Sequence, residues 1–413
     1  MAAKFQPVDL IHVGLQLSSE TIPVGRLALR ERIIYFEYHN DFISRGLLLS
    51  PFKLPLKPGV QSFDNSLFGG LPGVFDDSLP DGWGRLILDR ALRAKNINPD
   101  TLSPLDRLAH VGHSGMGALT YEPIQGESAA KISGLIDLNN LATQASKILE
   151  GGASKVLDEL VALGGSSAGA RPKAMIGVNK KKTEIIHGVH DLEEKYEHWM
   201  VKFPNTTDGK DSGAIEYVYS QMAKDAGIDM EETYLFPAKN SPGFFGTKRF
   251  DRRNNEKIHL HTAAGLIHAD FRAPSLDYQD LMGLTIALTR DLSQGEKLFR
   301  LAVFNVLGHN RDDHGKNFSY LMDKDGQWQI SPAYDLIYSS GPNGEQSTMI
   351  MGEGRNPDIE HLLKFAEANR IPKKRTKEII DQCRSALANW KKLAKKADVS
   401  KEKIEEIEAV INK

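Results

Sequence analysis

The sequence predicts an α+β protein in three parts: a mixed α/β accessory domain over residues 1–125, a small β-rich lobe over 126–255 and a larger helical lobe over 256–413. Three observations lead there. Strand-like runs alternate with turn signals through the first 125 or so residues. From about residue 155 the order is helix, Gly-rich turn, strands, helix, strand, then mostly helices. A polar break, "EPIQGESAAKISG", separates the two regions near residues 123 to 134.

Each element has its own warrant. "RIIYFEYH" and "GLLLSPF" are β-rich runs, and "DGWGRLILDRALRAK" is a helix that Asp81 is placed to cap. "PKAMIGV", "IIHGVH" and "HWMVKFP" are strands joined through the charged turn "NKKKTE". "SGAIEYVYSQMAKDAGI" carries Ile215, Val218, Met222 and Ala226 on one helical stripe, and "FFGTKRFDR" returns to strand. "GEKLFRLAVFNVLGHN" is apolar nearly all round, so it is a buried helix. The tail from 357 to 413 is helical, with Ser400 placed to cap the last helix.

Composition narrows the function classes. A chain of 413 residues, 40% apolar and 26% charged, is an ordinary folded protein with room for two or three domains of about 150 residues. No stretch approaches the 18 or more apolar residues of a membrane helix, and the N-terminus lacks a secretory pattern, so the expected compartment is the cytoplasm. The single cysteine, Cys383, excludes a disulfide framework, and its helical spacing with Ile379, Leu387 and Trp390 makes it core. A net charge of −2 offers no chain-wide attraction to nucleic acid. The basic runs "PKKRTK" and "KKLAKK" fall on polar helix faces and are expected to be solvated.

The densest chemistry lies in "HNRDDHGKNFSYL", His309 to Leu321. After it, Asp325-Gly326 signals a hairpin that returns the chain to Asp335. Asp312, Asn317 and Asp335 are thereby brought together, as phosphoryl transfer from ATP requires: one carboxylate to orient the hydroxyl and take its proton, and hard oxygen ligands for Mg2+. The Asp312 to Asn317 gap of four residues is that of protein kinases, although "Asp-Leu-Ile" replaces their "Asp-Phe-Gly". Two other arrangements fit the same residues. One is a polar loop ending a helix, and the other a metallohydrolase cluster of His309, Asp313 and His314, which lacks a second histidine-rich segment.

Further parts of an ATP site stand upstream in matching order. "LGGSSAGARPKAMIGV" offers small side chains that let amides approach phosphate, with Arg171 and Lys173 adding charge. It is not a Walker loop, because Ala170-Arg171 replaces Gly-Lys and a strand follows. Taken alone, its glycines also suit a flexible turn. Lys202 lies on a strand among Trp199, Val201 and Phe203, either pointing out of a half-buried sheet or reaching phosphates, and Glu216 is either its helix partner or an exposed helix residue.

These residues resemble the HipA-type serine/threonine kinases, the toxin component of bacterial toxin–antitoxin modules. The match runs over nearly the whole chain: "FGGLPGVFDDSLPDGWGRLILDR", "SSAGARPKA", "VKFP", "KRFDR", "RDDHGKNFS" and "PAYDL". The resemblance implies a protein-kinase-like two-lobed fold, Asp312 as catalytic base, and Asn317 and Asp335 as Mg2+ ligands. It puts Ala168, Gly169, Ala170, Arg171, Lys173 and Lys202 on the phosphates, and His314, Lys316 and Tyr334 near the nucleotide. Lys248 to Phe250 would form the hinge, although Lys248 stands where members usually carry Glu. Ser166, with Ser167 as rival, would be the autophosphorylated residue, since a phosphate there competes for the groups meant for ATP.

The implied partners are a small helix-turn-helix antitoxin of the HipB kind, which makes the DNA contacts, and a protein substrate such as an aminoacyl-tRNA synthetase. The alternative is a catalytically weak ATP-binding corepressor acting with the antitoxin. A small-molecule phosphotransferase on the same scaffold is a third possibility.

Overall fold

The computed structural model describes residues 6–64, 66–125, 134–152, 157–164, 169–205, 209–273 and 275–411. Ser166, Ser167 and Ala168 lie outside the described residues. The chain divides into two compact units. One comprises Met1–Thr207, Thr247–His261 and Met322–Gly326; the other comprises Asp208–Gly246, Thr262–Leu321 and Gln327–Lys413.

The first unit opens with an antiparallel sheet. Its strands are β1 (Leu10–Leu15), β2 (Ile22–Arg30), β3 (Ile33–Tyr38), β4 (Val60–Ser62) and β5 (Leu119–Glu122), in the order β4-β3-β2-β1-β5. Alternation fixes its inner face: Ile11, Val13, Leu27, Ile34 and Phe36 are buried, and Phe36 packs on Phe75 with ring centroids 5.0 Å apart. Helices α1 (Asn40–Arg45), α2 (Gly73–Asp76), α3 (Gly82–Ala94) and α4 (Pro104–Val111) belong to the same unit. α4 starts on a reciprocal cap between Ser103 and Asp106, whose carboxylate also accepts from the Val8 amide at 2.7 Å.

Two expectations change here. "GLLLSPF" is not a strand but a turn after α1, in which Leu49 is buried while Leu48 is 44% exposed. Three leucines running into Pro51 supply apolar bulk but no alternation, so one plugs the core and the others do not. Asp81 does occupy the position before α3, yet its carboxylate caps nothing in that helix and accepts instead from the Gly169 amide.

Beyond the polar break come α5 (Leu138–Leu149), α6 (Leu157–Gly164) and the strands β6 (Lys173–Asn179), β7 (Ile185–His187) and β8 (Tyr196–Lys202), ordered β7-β6-β8. Lys173 to Val178 of β6 are all buried, as expected of a strand covered on both faces. The "NKKKTE" turn is held by Asn179, whose Oδ1 accepts from Thr183 N at 2.9 Å and Glu184 N at 3.2 Å.

The second unit is mostly helical. It holds α7 (Ser212–Asp225), β9 (Thr233–Phe236), most of β10 (Phe244–Lys248), α8 (Ala263–Ile267), α9 (Tyr278–Thr289), α10 (Leu292–Leu307), α11 (Ile359–Ala368), α12 (Lys373–Leu387), α13 (Trp390–Lys396) and α14 (Lys401–Ile411). One apolar core joins them. The α7 stripe of Ile215, Val218, Met222 and Ala226 is buried with Phe299 and Phe304 of α10 and Ile379, Cys383 and Leu387 of α12. Tyr219 sits edge-on to Phe304 and to Trp390 at centroid distances of 6.2 and 5.8 Å. Cys383 is fully buried, and desolvation pushes its thiol up to about 12.

No described helix is long and apolar enough to cross a membrane. Lys373, Lys374, Lys377, Lys392, Lys395 and Lys396 of the two basic runs are exposed, as expected, and four C-terminal cations pair with carboxylates: Arg375 with Glu296 and Glu378, Lys391 with Glu408, Lys401 with Glu405 and Lys403 with Glu406.

Candidate active site

In the second unit, α10 delivers the chain to the Asp/Asn loop and the loop is then tied down from several sides. Gly308 O accepts from Tyr219 Oη at 2.7 Å, and His309 turns the chain with a φ of 53°. Ser339 N donates to His309 O at 3.0 Å, and Ser347 donates to Arg311 O from both its amide (3.0 Å) and its hydroxyl (2.9 Å). A loop so bonded along its backbone presents its side chains in fixed directions.

The two adjacent aspartates take opposite environments. Asp312 is exposed, while Asp313 is 1% exposed and fully enclosed by polar partners. Tyr278 Oη donates to Asp313 Oδ2 at 2.6 Å, Gln346 Nε2 to the same oxygen at 2.9 Å, and Thr348 N to Oδ1 at 3.0 Å. Asn305 Nδ2 donates to Tyr278 Oη at 2.9 Å and Asn310 Nδ2 to Asn305 Oδ1 at 3.0 Å, so the network extends from α9 and α10 through the loop to residues 346–348. Burial pushes the Asp313 carboxyl up to about 7, against the pull of its three donors.

Asn317 Nδ2 donates to Asp312 O at 2.6 Å, which fixes the amide so that its oxygen end is turned to the opposite side. The hairpin is present: strands Ser319–Met322 and Trp328–Ile330 are neighbours, and the turn is closed by Gly326 N donating to Asp323 O at 3.1 Å. Tyr334 then binds the returning chain to the loop. Its hydroxyl donates to Lys316 O at 2.6 Å and also bonds the Ser319 hydroxyl at 2.6 Å. Asp335 follows in a left-handed conformation, φ 57°, unusual for a non-glycine residue and of the kind found at functional sites. Asn317 is thus bonded to Asp312, and Tyr334, the residue before Asp335, to Lys316.

The two other chemistry-bearing side chains of the loop face an aromatic ring. His314 Nδ1 accepts from Lys316 N at 3.3 Å, its ring lies 5.5 Å from Phe271, and Lys316 Nζ stands 4.5 Å above the same ring. The metallohydrolase arrangement does not form. His309 stacks on Tyr338 and Asp313 is turned into its own network. Among the described residues no group of three or more His, Cys, Asp or Glu side chains could hold a metal ion.

The donor chemistry fits Mg2+ nonetheless: an amide oxygen and carboxylates are hard ligands, and Mg2+ is commonly held by one or two protein carboxylates with phosphate oxygens and water completing the shell.

In the first unit, the sheet pairs the two predicted phosphate lysines directly. Lys173 of β6 and Lys202 of β8 are register partners, buried to 5% and 6% exposure. Residues directly opposite in an antiparallel pair share a face, and like charges there are unfavourable unless anions attend them. Lys202 therefore does not point out of a half-buried sheet. Glu216 of α7 is likewise buried, at 1% exposure, so the exposed-helix alternative is overturned.

Arg171 is half-buried at the end of the small-residue loop, Ala170 is exposed, and Gly169 has a φ of 96° that favours glycine. A Cβ on Gly169 would also collide with Lys173 Nζ.

Lys248 carries its ammonium to Glu197 Oε1 of β8 at 2.7 Å. Its side chain is thus engaged away from the backbone that the hinge reading needs, and Phe250 beyond it is half-buried. Between them Arg249 forks onto Asp251 at 2.8 and 2.7 Å, Arg252 adds a third contact at 2.8 Å, and Gly117 N donates to the same carboxylate at 2.8 Å. Burial raises the Asp251 carboxyl, but the two guanidiniums outweigh it and hold it well below the usual range.

One other cluster has the connectivity of a nucleophilic triad. Ser50 Oγ lies 3.0 Å from His261 Nε2, and Asp77 Oδ2 lies 2.6 Å from His261 Nδ1. Ser50 and His261 are 1% and 0% exposed, so no substrate reaches them and the cluster serves as an internal tie.

With this geometry in place, the comparisons with known proteins define the class. The HipA N-terminal domain matches residues 15–122 and the HipA-like C-terminal domain residues 165–390. The chain belongs to the HipA family.

A putative kinase of Sinorhizobium fredii, Y4mE, is 28% identical over 319 residues, spanning 71% of this chain and 69% of the relative. The serine/threonine-protein kinase toxin HipA of Shewanella oneidensis is 23% identical over 200 residues, 42% of each chain. The solved Shewanella oneidensis HipA, from a complex with HipB and operator DNA, superposes with a TM-score of 0.70 at 16% identity, covering 97% of this chain and 95% of that one. The predicted α+β, kinase-like fold class is therefore the observed one.

Proposed function

We propose that the chain is an ATP-dependent serine/threonine protein kinase, the toxin of a toxin–antitoxin module. The observation that supports this reading is a loop in which Asn317 Nδ2 bonds Asp312 O and Tyr334, the residue before Asp335, bonds Lys316 O. Asp312, exposed beside its buried neighbour, takes the proton of the attacking hydroxyl. Asn317 Oδ1 and the Asp335 carboxylate hold Mg2+, which when bound neutralises charge on the phosphates. Lys173 and Lys202, with Gly169, Ala170 and Arg171, hold the phosphate chain. His314 and Lys316 flank the transferred group, Tyr334 fixes the Asp335 segment, and the backbone from Lys248 to Phe250 receives the base.

The remaining parts of the reading rest on the family. Ala168 completes the phosphate loop, and Ser166 is the residue that modifies itself and thereby expels the loop. A HipB-like helix-turn-helix antitoxin restrains the enzyme and contacts DNA, the target is a protein of the aminoacyl-tRNA synthetase type, and the compartment is the cytoplasm. The three-part division at residues 125 and 255 is retained as the functional description of the chain.

The experiment is transfer of labelled γ-phosphate in a cell lysate, with Asp312→Asn as control. Label on a discrete protein band, absent with the variant, is the expected result. Label on a metabolite would make the chain a small-molecule phosphotransferase. Growth inhibition that persists in the Asp312→Asn variant would make it a corepressor.

A further inference from the structure

Between Gly169 and Lys173 only Arg171 and Pro172 add bulk, so this limb of the small-residue loop has few side chains of its own with which to hold itself. We propose that the start of α3, Asp81-Gly82-Trp83, is a clamp on the outgoing limb of that loop, residues 169–173, and sets the protein's affinity for nucleotide. The inference rests on the ATP-binding reading above.

Three hydrogen bonds make the clamp. The Asp81 carboxylate accepts from Gly169 N, and Trp83 N donates to Gly169 O at 3.0 Å, so both polar groups of one residue are gripped by two positions at the start of α3. The Trp83 indole, 1% exposed, donates to Lys173 O at 3.2 Å, fixing the first residue of β6 that carries a phosphate-facing ammonium. Asp81 occupies the helix-capping position without capping the helix, so its carboxylate serves the loop instead.

The packing leaves no room for alternatives. A Cβ at Gly82 would stand 2.6 Å from Gly169 O and 2.7 Å from Ala170 Cα, and the φ of 43° there itself favours glycine. A Cβ at Gly164 would meet Lys173 O at 2.5 Å and the Trp83 indole at 3.2 Å. Glycines on both sides of the contact allow backbone to lie on backbone.

The partners come from different family domains. Asp81 to Trp83 lie within the HipA N-terminal match and Gly169 to Lys173 within the HipA-like C-terminal match. The accessory domain is therefore a working part of the nucleotide site: it pre-orders the limb that carries Lys173, and a pre-ordered site binds more tightly because less freedom is lost on binding. Asp81 and Trp83 are positioning residues; they act through Gly169 and Lys173.

The test uses the full chain and two readouts: amide hydrogen exchange of the peptide containing Gly169 without nucleotide, and affinity for ATP with Mg2+. Asp81→Ala is expected to speed exchange across residues 169–173 and to weaken ATP binding about tenfold, the scale of one charge-assisted hydrogen bond. Asp81→Asn, which keeps an acceptor oxygen, recovers most of the affinity, and turnover at saturating ATP stays within about twofold of wild type. Gly82→Ala, which pushes the loop away by its Cβ, weakens ATP binding in the same direction.

Unchanged exchange and affinity in both Asp81→Ala and Gly82→Ala would overturn the clamp, as would lost turnover with unchanged ATP affinity. A wild-type chain that binds no Mg-ATP would overturn the nucleotide reading, and with it the purpose of the clamp. Equal binding by wild type and variants would overturn the clamp alone.

Discussion

Replacing Asp313 by Asn should remove a pH dependence that the fold now carries. The Asp313 carboxyl is raised from 3.8 to about 7, first by burial and against the pull of Gln346, Tyr278 and Thr348. Below about pH 4 the group is protonated in both folded and unfolded chains, so it contributes no slope. Between about pH 4 and 7 the folded chain keeps a proton that the unfolded chain has released, and stability falls as pH rises; above about pH 7 both states are ionised and the loss is complete. A displacement of about three pH units corresponds to about 4 kcal/mol.

The assay is urea unfolding of wild type and Asp313→Asn at pH values from about 4 to 8, read as the difference between the two at each pH. The difference cancels the other titrating groups, including His309, whose pKa is lowered by burial. The stability of the variant relative to wild type should rise by up to about 4 kcal/mol across this window. Parallel pH profiles for the two proteins would refute the reasoning, because they would mean that the carboxyl is ionised at every pH tested.

Two further outcomes follow from the packing. Lys202→Met should weaken binding of ATP by about tenfold or more, since it deletes one of the two buried ammonium groups paired across β6 and β8, and isothermal titration reads the loss. Cys383, raised to about 12 by burial, should fail to react with an aromatic disulfide reagent in the folded chain and react fully once the chain is unfolded in urea.

The linear parts of the site are legible in the sequence and the convergent parts are not. The Asp325-Gly326 hairpin lies just after Asp312 and Asn317 in one short run, and turn chemistry alone is enough to read it. Tyr278, Gln346 and Thr348 meet Asp313 from about 35 residues away on either side, and no period in the sequence connects them.

Lys202 shows the same division. Alternation places it on a strand, but only the register with Lys173 reveals two buried cations side by side. Asp81 has the sequence position of a helix cap; its competing acceptor role toward Gly169 depends on a loop 88 residues away. "GLLLSPF" suggests a strand on apolar content alone, where the lack of alternation is the better signal.

The central claim is that Asn317 and Asp335 hold Mg2+ against the phosphates of ATP, and the dependence of ATP affinity on Mg2+ tests it most directly. In wild type, Mg2+ should strengthen ATP binding by about tenfold or more, and in the Asn317→Ala, Asp335→Ala double variant it should bring no such gain. The same Mg2+ enhancement in both proteins would contradict the account.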